Sequence, residues 1–305
     1  MGYVYTIHCP DDEAELAAAE AWAFTGSEPQ GRLVRAPWAV DITRAAYLRD
    51  CVHVEAAGAS LDELVADCLA RRVAYEGFKL QFLRPPPKVA EHKDDTILQV
   101  ANAITGRPDL HHPRVRLAVV AVSGAWAFGR IISTGGSHWL RGIDRPVHFS
   151  SALPQRFSRA LVNLVAAPGD TLIDPCCGIG TPLIEALDAG VTAFGADTNP
   201  KMLRGLAENL RHLSLPLRLF RADARRLAGR FDAAILDLPY GRNLPMDEQL
   251  YRELLGPLGR SARRVAIVAA RDLDDLLHDL GYTILRHARV RKWQLVRHVY
   301  VLQEQ

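Results

Sequence analysis

From Asp170 onward the chain alternates short apolar runs with amphipathic stretches, and this constrains its fold more than any other feature. Short apolar runs are read as strands buried on both faces, and the amphipathic stretches between them as covering helices. Thr171 to Asp174, Thr192 to Asp197, Leu215 to Arg221, Asp232 to Asp237 and Arg264 to Ala270 are expected to be five parallel strands, most of them followed by a helix. Tyr282 to Ala288 and Gln294 to Leu302 read as a closing hairpin. The implied class is α/β, an open Rossmann-like sheet with an antiparallel strand near its end.

The first four of these strands end at or just before an acid, namely Asp174, Asp197, Asp223 and Asp237. Open α/β sheets bind their ligands outside the carboxyl ends of the strands, so these acids fall where a ligand belongs. The first is followed by Pro175-Cys176-Cys177-Gly178-Ile179-Gly180-Thr181, a glycine-rich loop that leads into a helix. Gly178 and Gly180 permit a tight turn and close approach of backbone to ligand, and the helix start offers free N–H groups. A glycine-rich loop alone also fits a dinucleotide enzyme, so the acids narrow the choice. Asp174 is placed to accept from a cofactor amino group, directly or through water. Asp197 suits the two ribose hydroxyls of an adenosine ligand, and Asp223, followed by Ala224, suits the adenine amino group.

The fourth strand runs into Asp237-Leu238-Pro239-Tyr240-Gly241, which resembles the Asp/Asn-Pro-Pro-Tyr motif of methyltransferases acting on exocyclic amines. Such an amine is a weak nucleophile because its lone pair is delocalised into the ring. A site that accepts its two N–H hydrogens orients that pair toward the methyl donor. Asp237 and the Leu238 carbonyl supply acceptors, Pro239 stiffens the turn, and Tyr240 stacks on a base turned out of its helix. Leu238 departs from the motif, removing a proline's rigidity but keeping the carbonyl. Asp rather than Asn suits guanine, whose N1–H and N2–H₂ are all donors, although adenine-N6 enzymes also carry Asp here.

Together these segments are similar to the catalytic domain of THUMP-containing tRNA guanine-N2 methyltransferases. The run from His148 to Leu164 resembles the helix ahead of the cofactor loop in that family, and Arg107 to Val115 resembles part of its THUMP domain. The resemblance implies a class I methyltransferase domain over 151–305, preceded by an N-terminal ferredoxin-like segment over 1–60, a THUMP-like RNA-binding domain over 61–140 and a linker over 141–150. It implies S-adenosyl-L-methionine as cofactor, tRNA as partner, methylation of a guanosine N2 near the D-arm, and phosphate contacts at Arg84 and Lys88. The same chemistry on rRNA, DNA adenine or a protein glutamine stays open, as does a non-catalytic RNA-binding role.

A chain of 305 residues, 49% of them hydrophobic, is long enough for two or three domains. It contains no uncharged apolar window of the ~18 residues a membrane span requires, and its start lacks a signal-peptide pattern, so a cytoplasmic location is expected. Five cysteines without CxxC pairing suggest free thiols and no zinc site, and His111 and His112 lack partners with metal-ligand spacing, so no metal is expected. The net charge of +2 does not announce a nucleic-acid ligand. Arginines do cluster between Arg204 and Arg230 and from Arg286 to Arg297, a bias that genome composition explains equally well.

Overall fold

A computed structural model describes residues 2–86, 90–122, 124–136, 143–239, 248–292 and 294–304. The chain divides into two compact units. The first comprises Met1–His8, Phe24–Thr43 and Tyr47–Gly136, and the second Cys9–Ala23, Arg44–Ala46 and Ser137–Gln305.

The first unit is a six-stranded sheet of β1 (Tyr3–Ile7), β2 (Leu33–Ala36), β3 (Leu48–Gly58), β4 (Phe78–Leu83), β5 (Val115–Val122) and β6 (Ala125–Thr134), in the order β2-β1-β3-β6-β5-β4. Strands from before and after residue 60 share this sheet, because β3 pairs antiparallel with β6. Helix α1 (Ala14–Thr25) runs mostly in the second unit, whereas α2 (Leu61–Ala70) and α3 (Lys93–Asn102) belong to the first. Leu64 and Cys68 of α2 and Val100 of α3 are fully buried in a core with Phe78, Leu80 and Phe128. Each such side chain contributes about 1.5–3 kcal/mol by leaving water. The apolar run Ala39 to Ile42, which reads as a strand in the sequence, is instead a loop. Pro37 brings no N–H to a ladder, and the backbone that follows is held by a side chain. Val40 N donates to the Tyr5 hydroxyl at 2.8 Å, and that hydroxyl donates to the Trp38 carbonyl at 2.9 Å.

The second unit contains β7 (Thr171–Asp174), β8 (Thr192–Asp197), β9 (Leu219–Arg221), β10 (Phe231–Asp237), β11 (Ala262–Ala269), β12 (Tyr282–Lys292) and β13 (Leu295–Glu304). Their order is β12-β13-β11-β10-β7-β8-β9. β7 to β11 are mutually parallel, and β13 runs antiparallel to both of its neighbours. Between them lie α4 (Gln155–Val165), α5 (Thr181–Asp188), α6 (Pro200–His212), α7 (Glu248–Ser261) and α8 (Asp274–Asp279). β9 is shorter than the expected Leu215 to Arg221. Ser214 closes α6 with a left-handed φ of 55°, and Pro216 cannot donate to a ladder.

The chain order reverses at β7, from which β8 and β9 extend one way and β10 and β11 the other. The crevice outside the carboxyl ends of β7 and β10 is therefore the switch point, and Asp174 and Asp237 are its two rims. Two pieces from other parts of the chain complete the unit. α1 joins through Glu20, which accepts from Asn163 Nδ2 of α4 at 2.7 Å, and through Trp22, whose ring lies 4.1 Å from the Arg286 guanidinium. Residues 143–150, the described part of the linker expected over 141–150, include Val147, whose N–H and carbonyl both bond the Asn209 side chain on α6 at 2.9 and 3.0 Å.

Candidate active site

A cavity of about 380 Å³ opens at the switch point, lined by Asp174, Cys176, Cys177, Gly178, Gly180, Thr181, Asp197, Asp237 and Pro239, with Phe149 and Met202 among the apolar contributors. The glycine loop is shaped as its residues require. Gly178 and Gly180 take left-handed φ values of 51° and 78°, and a Cβ on Gly180 would lie 2.3 Å from Leu206 Cδ1. Gly180 caps α5, with Pro182 in the first turn, so the early N–H groups of that helix face the loop.

The four acids differ in what surrounds them. Asp174 is almost fully buried, and its Oδ1 accepts from Cys176 N at 3.2 Å. Burial pushes its carboxyl up to about 8, the Cys176 N–H pulls back, and the charges of Asp237 and Asp197 raise it further. Among the described residues Asp237 Oδ1, sealed from solvent, has no hydrogen-bond partner. Burial pushes Asp237 up to about 7 against the opposing charge of Arg297 on β13.

Asp197 is engaged on both oxygens. Its Oδ2 accepts from Gly178 N at 2.9 Å and its Oδ1 from Asn199 N at 2.8 Å, so this carboxylate ties the glycine loop to the start of α6. Asp223 lies outside the cavity lining. It accepts from Arg225 N at 3.0 Å and holds the Arg225 guanidinium, which keeps its carboxyl down at about 2.

Of the remaining expected site residues, Pro175 is buried in the turn after β7, and Ala224 packs into the core of the unit. The Leu238 side chain is buried in that same core, and its N–H donates to Val268 O at 2.9 Å. Pro239 reaches the cavity, and its carbonyl accepts from the Tyr251 hydroxyl at 3.1 Å. Tyr240 and Lys88 lie outside the described residues. Arg84, in the first unit, lines a cavity of about 440 Å³ with His8, Arg49 and Arg116.

Residues behind the cavity support it without having been singled out in the sequence. Arg145 is buried and donates to Thr181 Oγ1 at 3.0 Å, bracing the start of α5. Arg159 of α4, also fully buried, pairs with Glu185 at 2.9 Å and with Asp188, fastening α4 to α5. The only sequence signal for that network is a set of opposite charges on otherwise apolar helices.

A parallel sheet closed by an antiparallel penultimate strand, with a glycine loop at its switch point and an acid-headed amine motif on the next strand, defines a class I methyltransferase. The UPF0020 family model, described as an RMKL-like methyltransferase domain, matches residues 142–295, and the chain belongs to this family. Its methyl donor is S-adenosylmethionine. A tRNA (guanine(10)-N2)-dimethyltransferase of Methanothermobacter thermautotrophicus is 30% identical, over 72% of this chain and 70% of that protein. One of the same name from Pyrococcus abyssi is 31% identical, over 53% of this chain and 52% of that protein. The crystal structure of TrmN from Thermus thermophilus shares the fold, with a TM-score of 0.51, 19% identity and 99% of each chain covered.

Proposed function

We propose that this chain methylates the exocyclic N2 amine of a guanosine in tRNA, near the D-arm, from S-adenosylmethionine. The observation that carries this reading is Asp237 Oδ1, an acceptor sealed from solvent and without a partner among the described residues, on a side chain that lines the glycine-loop cavity. A buried acceptor left unsatisfied costs about 1–3 kcal/mol, and a substrate donor offsets that cost.

The cavity residues fit the cofactor. Left-handed glycines bring backbone close to it, the start of α5 supplies N–H groups, and Asp174 and Asp197 offer acceptors for its amino and ribose groups. When bound, the cofactor supplies an electrophilic methyl group. Asp237 and the Leu238 carbonyl accept from the guanine N–H groups and hold the N2 lone pair toward that methyl. A carboxylate with a pKa of about 7 also suits uptake of the proton that the amine sheds. Pro239 fixes the turn and Tyr240 stacks on the base. Asp223 and Ala224 would border the adenine.

Methylation at a pyrimidine C5 requires a thiolate nucleophile, and the state of the cavity thiol Cys176 argues against it. Burial and the surrounding carboxylates push Cys176 up to about 12, so it stays protonated. For residues 1–140 we propose a ferredoxin-like segment over 1–60 and a THUMP-like domain over 61–140, which share the six-stranded sheet and grip RNA through phosphate contacts that include Arg84 and Lys88. The cluster of Arg49, Arg84 and Arg116 around one cavity supports that role. Among the described residues no helix is long and apolar enough to cross a membrane.

The test is transfer of labelled methyl to unmodified tRNA transcripts, followed by mass spectrometry of the nucleosides. N2-methylated guanosine is expected. N6-methyladenosine or a 5-methylpyrimidine as the product would overturn the assignment.

A further inference from the structure

At the hairpin end of the second unit's sheet, three side chains from separate elements converge outside the cofactor cavity. His287 lies on β12, His298 on β13, and Asp272 in the turn between β11 and α8. His287 Nε2 and His298 Nδ1 are 2.9 Å apart, and His298 Nδ1 is 3.8 Å from Asp272 Oδ2. One ligand atom from each residue fits within a 4.8 Å span, which no other group of His, Cys, Asp and Glu among the described residues achieves. We propose that these residues bind a divalent transition metal of the zinc class, which clips the β12–β13 hairpin to the turn after β11.

The spacings suit such an ion. Two ligands on adjacent positions of one metal, each about 2.0–2.1 Å from it, lie roughly 3 Å apart, which matches the two ring nitrogens. The longer carboxylate edge closes with a small side-chain rotation, since Asp272 is the most exposed of the three. Two imidazoles and one carboxylate are a borderline donor set, suited to zinc, nickel or cobalt and not to calcium or magnesium.

The surrounding groups orient these ligands as outer partners do in metal sites. Asp272 Oδ1 is engaged by the Asp274 N–H at 2.9 Å and the Tyr300 hydroxyl at 3.2 Å, which leaves Oδ2 turned toward His298. His287 presents its other nitrogen, Nδ1, to Asp274 Oδ1 at 3.6 Å. Among the described residues that oxygen, sealed from solvent, makes no hydrogen bond of good geometry. A metal on Nε2 would fix the proton on Nδ1, facing this unpartnered carboxylate oxygen. Without a metal the two imidazoles share one hydrogen bond, and Asp274 Oδ1 stays unsatisfied. The His287 ring also stacks on Tyr300 at 4.2 Å, which restrains its plane.

The test uses untagged full-length protein stripped with a chelator and titrated with cobalt(II), then with zinc(II) in competition. One cobalt per chain with ligand-field absorption is expected, displaced by zinc, together with a rise in thermal midpoint on zinc addition. His298→Ala and Asp272→Asn should each weaken binding at least tenfold. Asp274→Asn touches no ligand atom of the ion and should weaken binding by roughly 10–100-fold, through loss of orientation. Absence of stoichiometric cobalt binding to the folded wild-type protein, judged by circular dichroism, would overturn the proposal. So would binding that persists unchanged in all three variants, which would place the metal elsewhere.

Discussion

Asp197 and Asp223 end β8 and follow β9, while Asp174 and Asp237 end β7 and β10, and in the sequence the four look alike. In the structure they form two pairs with opposite physics. Asp197 and Asp223 are satisfied by N–H groups and, for Asp223, an arginine. Asp174 and Asp237 are desolvated, and their carboxyls rise to about 8 and about 7. Carboxylates of the first kind are parts of the scaffold before any ligand arrives. Those of the second kind are held in an unfavourable state that a donor-bearing ligand relieves. Position at a strand end therefore identifies a site, and desolvation separates the groups that shape it from those that act in it.

The largest effect is expected at Asp237. Asp237→Ala should lower single-turnover methyl transfer by about 10²–10³, the usual cost of losing one preorganised electrostatic contact, while cofactor affinity stays within a few-fold. Asp237→Asn should fall between, because the amide oxygen still accepts but its NH₂ opposes the guanine donor edge. Wild-type rates in Asp237→Ala would place the amine elsewhere and erase the distinction between the pairs. Next comes Asp197→Ala. It removes the two hydrogen bonds that tie the glycine loop to the start of α6, each worth roughly 0.5–3 kcal/mol, in addition to any bond to ribose. Calorimetry should show cofactor Kd raised by about tenfold or more, 1.4 kcal/mol per decade. An unchanged Kd would show that the loop holds its shape without this acid.

Much of this arrangement was legible beforehand. β7 and β8 begin and end where apolar patterning placed them, because strands buried between helices leave a continuous apolar run bounded by turns. Less was legible where one side chain overrides local pattern. Tyr5 captures the backbone at Trp38 and Val40, a contact across more than thirty residues that no window of sequence displays. Helix α1 shows helical composition but not its attachment, which rests on Glu20 meeting Asn163. The state of each acid was equally hidden, since an aspartate paired by Arg225 and one with a sealed, partnerless oxygen are the same letter. His287, His298 and Asp272 drew no notice for a related reason. Their spacing in the sequence matches no metal-ligand pattern, and they meet only through the register of β13 with β11 and β12.

The desolvated pair also predicts how pH acts. Asp237 must be ionised to accept from guanine, so transfer under single-turnover conditions should climb with pH, about tenfold per unit well below pH 7, and level off above it. Stability should move the other way. For Asp174 the folded pKa of about 8 exceeds the unfolded value of about 3.9, so the folded state retains a proton that the unfolded state has released. Its contribution is full below about pH 4 and is lost as pH rises through about 8. Asp174→Asn, which stays neutral throughout, should flatten the decline in thermal midpoint of the cofactor-free protein over that range. A decline as steep as that of the wild type would remove Asp174 as its source.

The smallest effect is expected at Asp223, where the comparison is sharpest. Its carboxylate is half-exposed and already holds Arg225, so any bond it gives the adenine amino group competes with that arginine. An exposed, solvent-screened pair contributes little to the fold, and a shared acceptor contributes little to the ligand. Asp223→Ala should therefore raise cofactor Kd only about two- to fivefold, well below the tenfold step that 1.4 kcal/mol represents. Arg225→Ala provides the counterpart, because it removes the guanidinium from both carboxylate oxygens, leaving only the backbone N–H bond to Oδ1, without touching the cavity. If Asp223 serves the adenine, that variant should bind cofactor as tightly as wild type or slightly tighter. Weaker binding in Arg225→Ala would instead make the ion pair itself the element that shapes this edge of the site, and Asp223 would be scaffold alone.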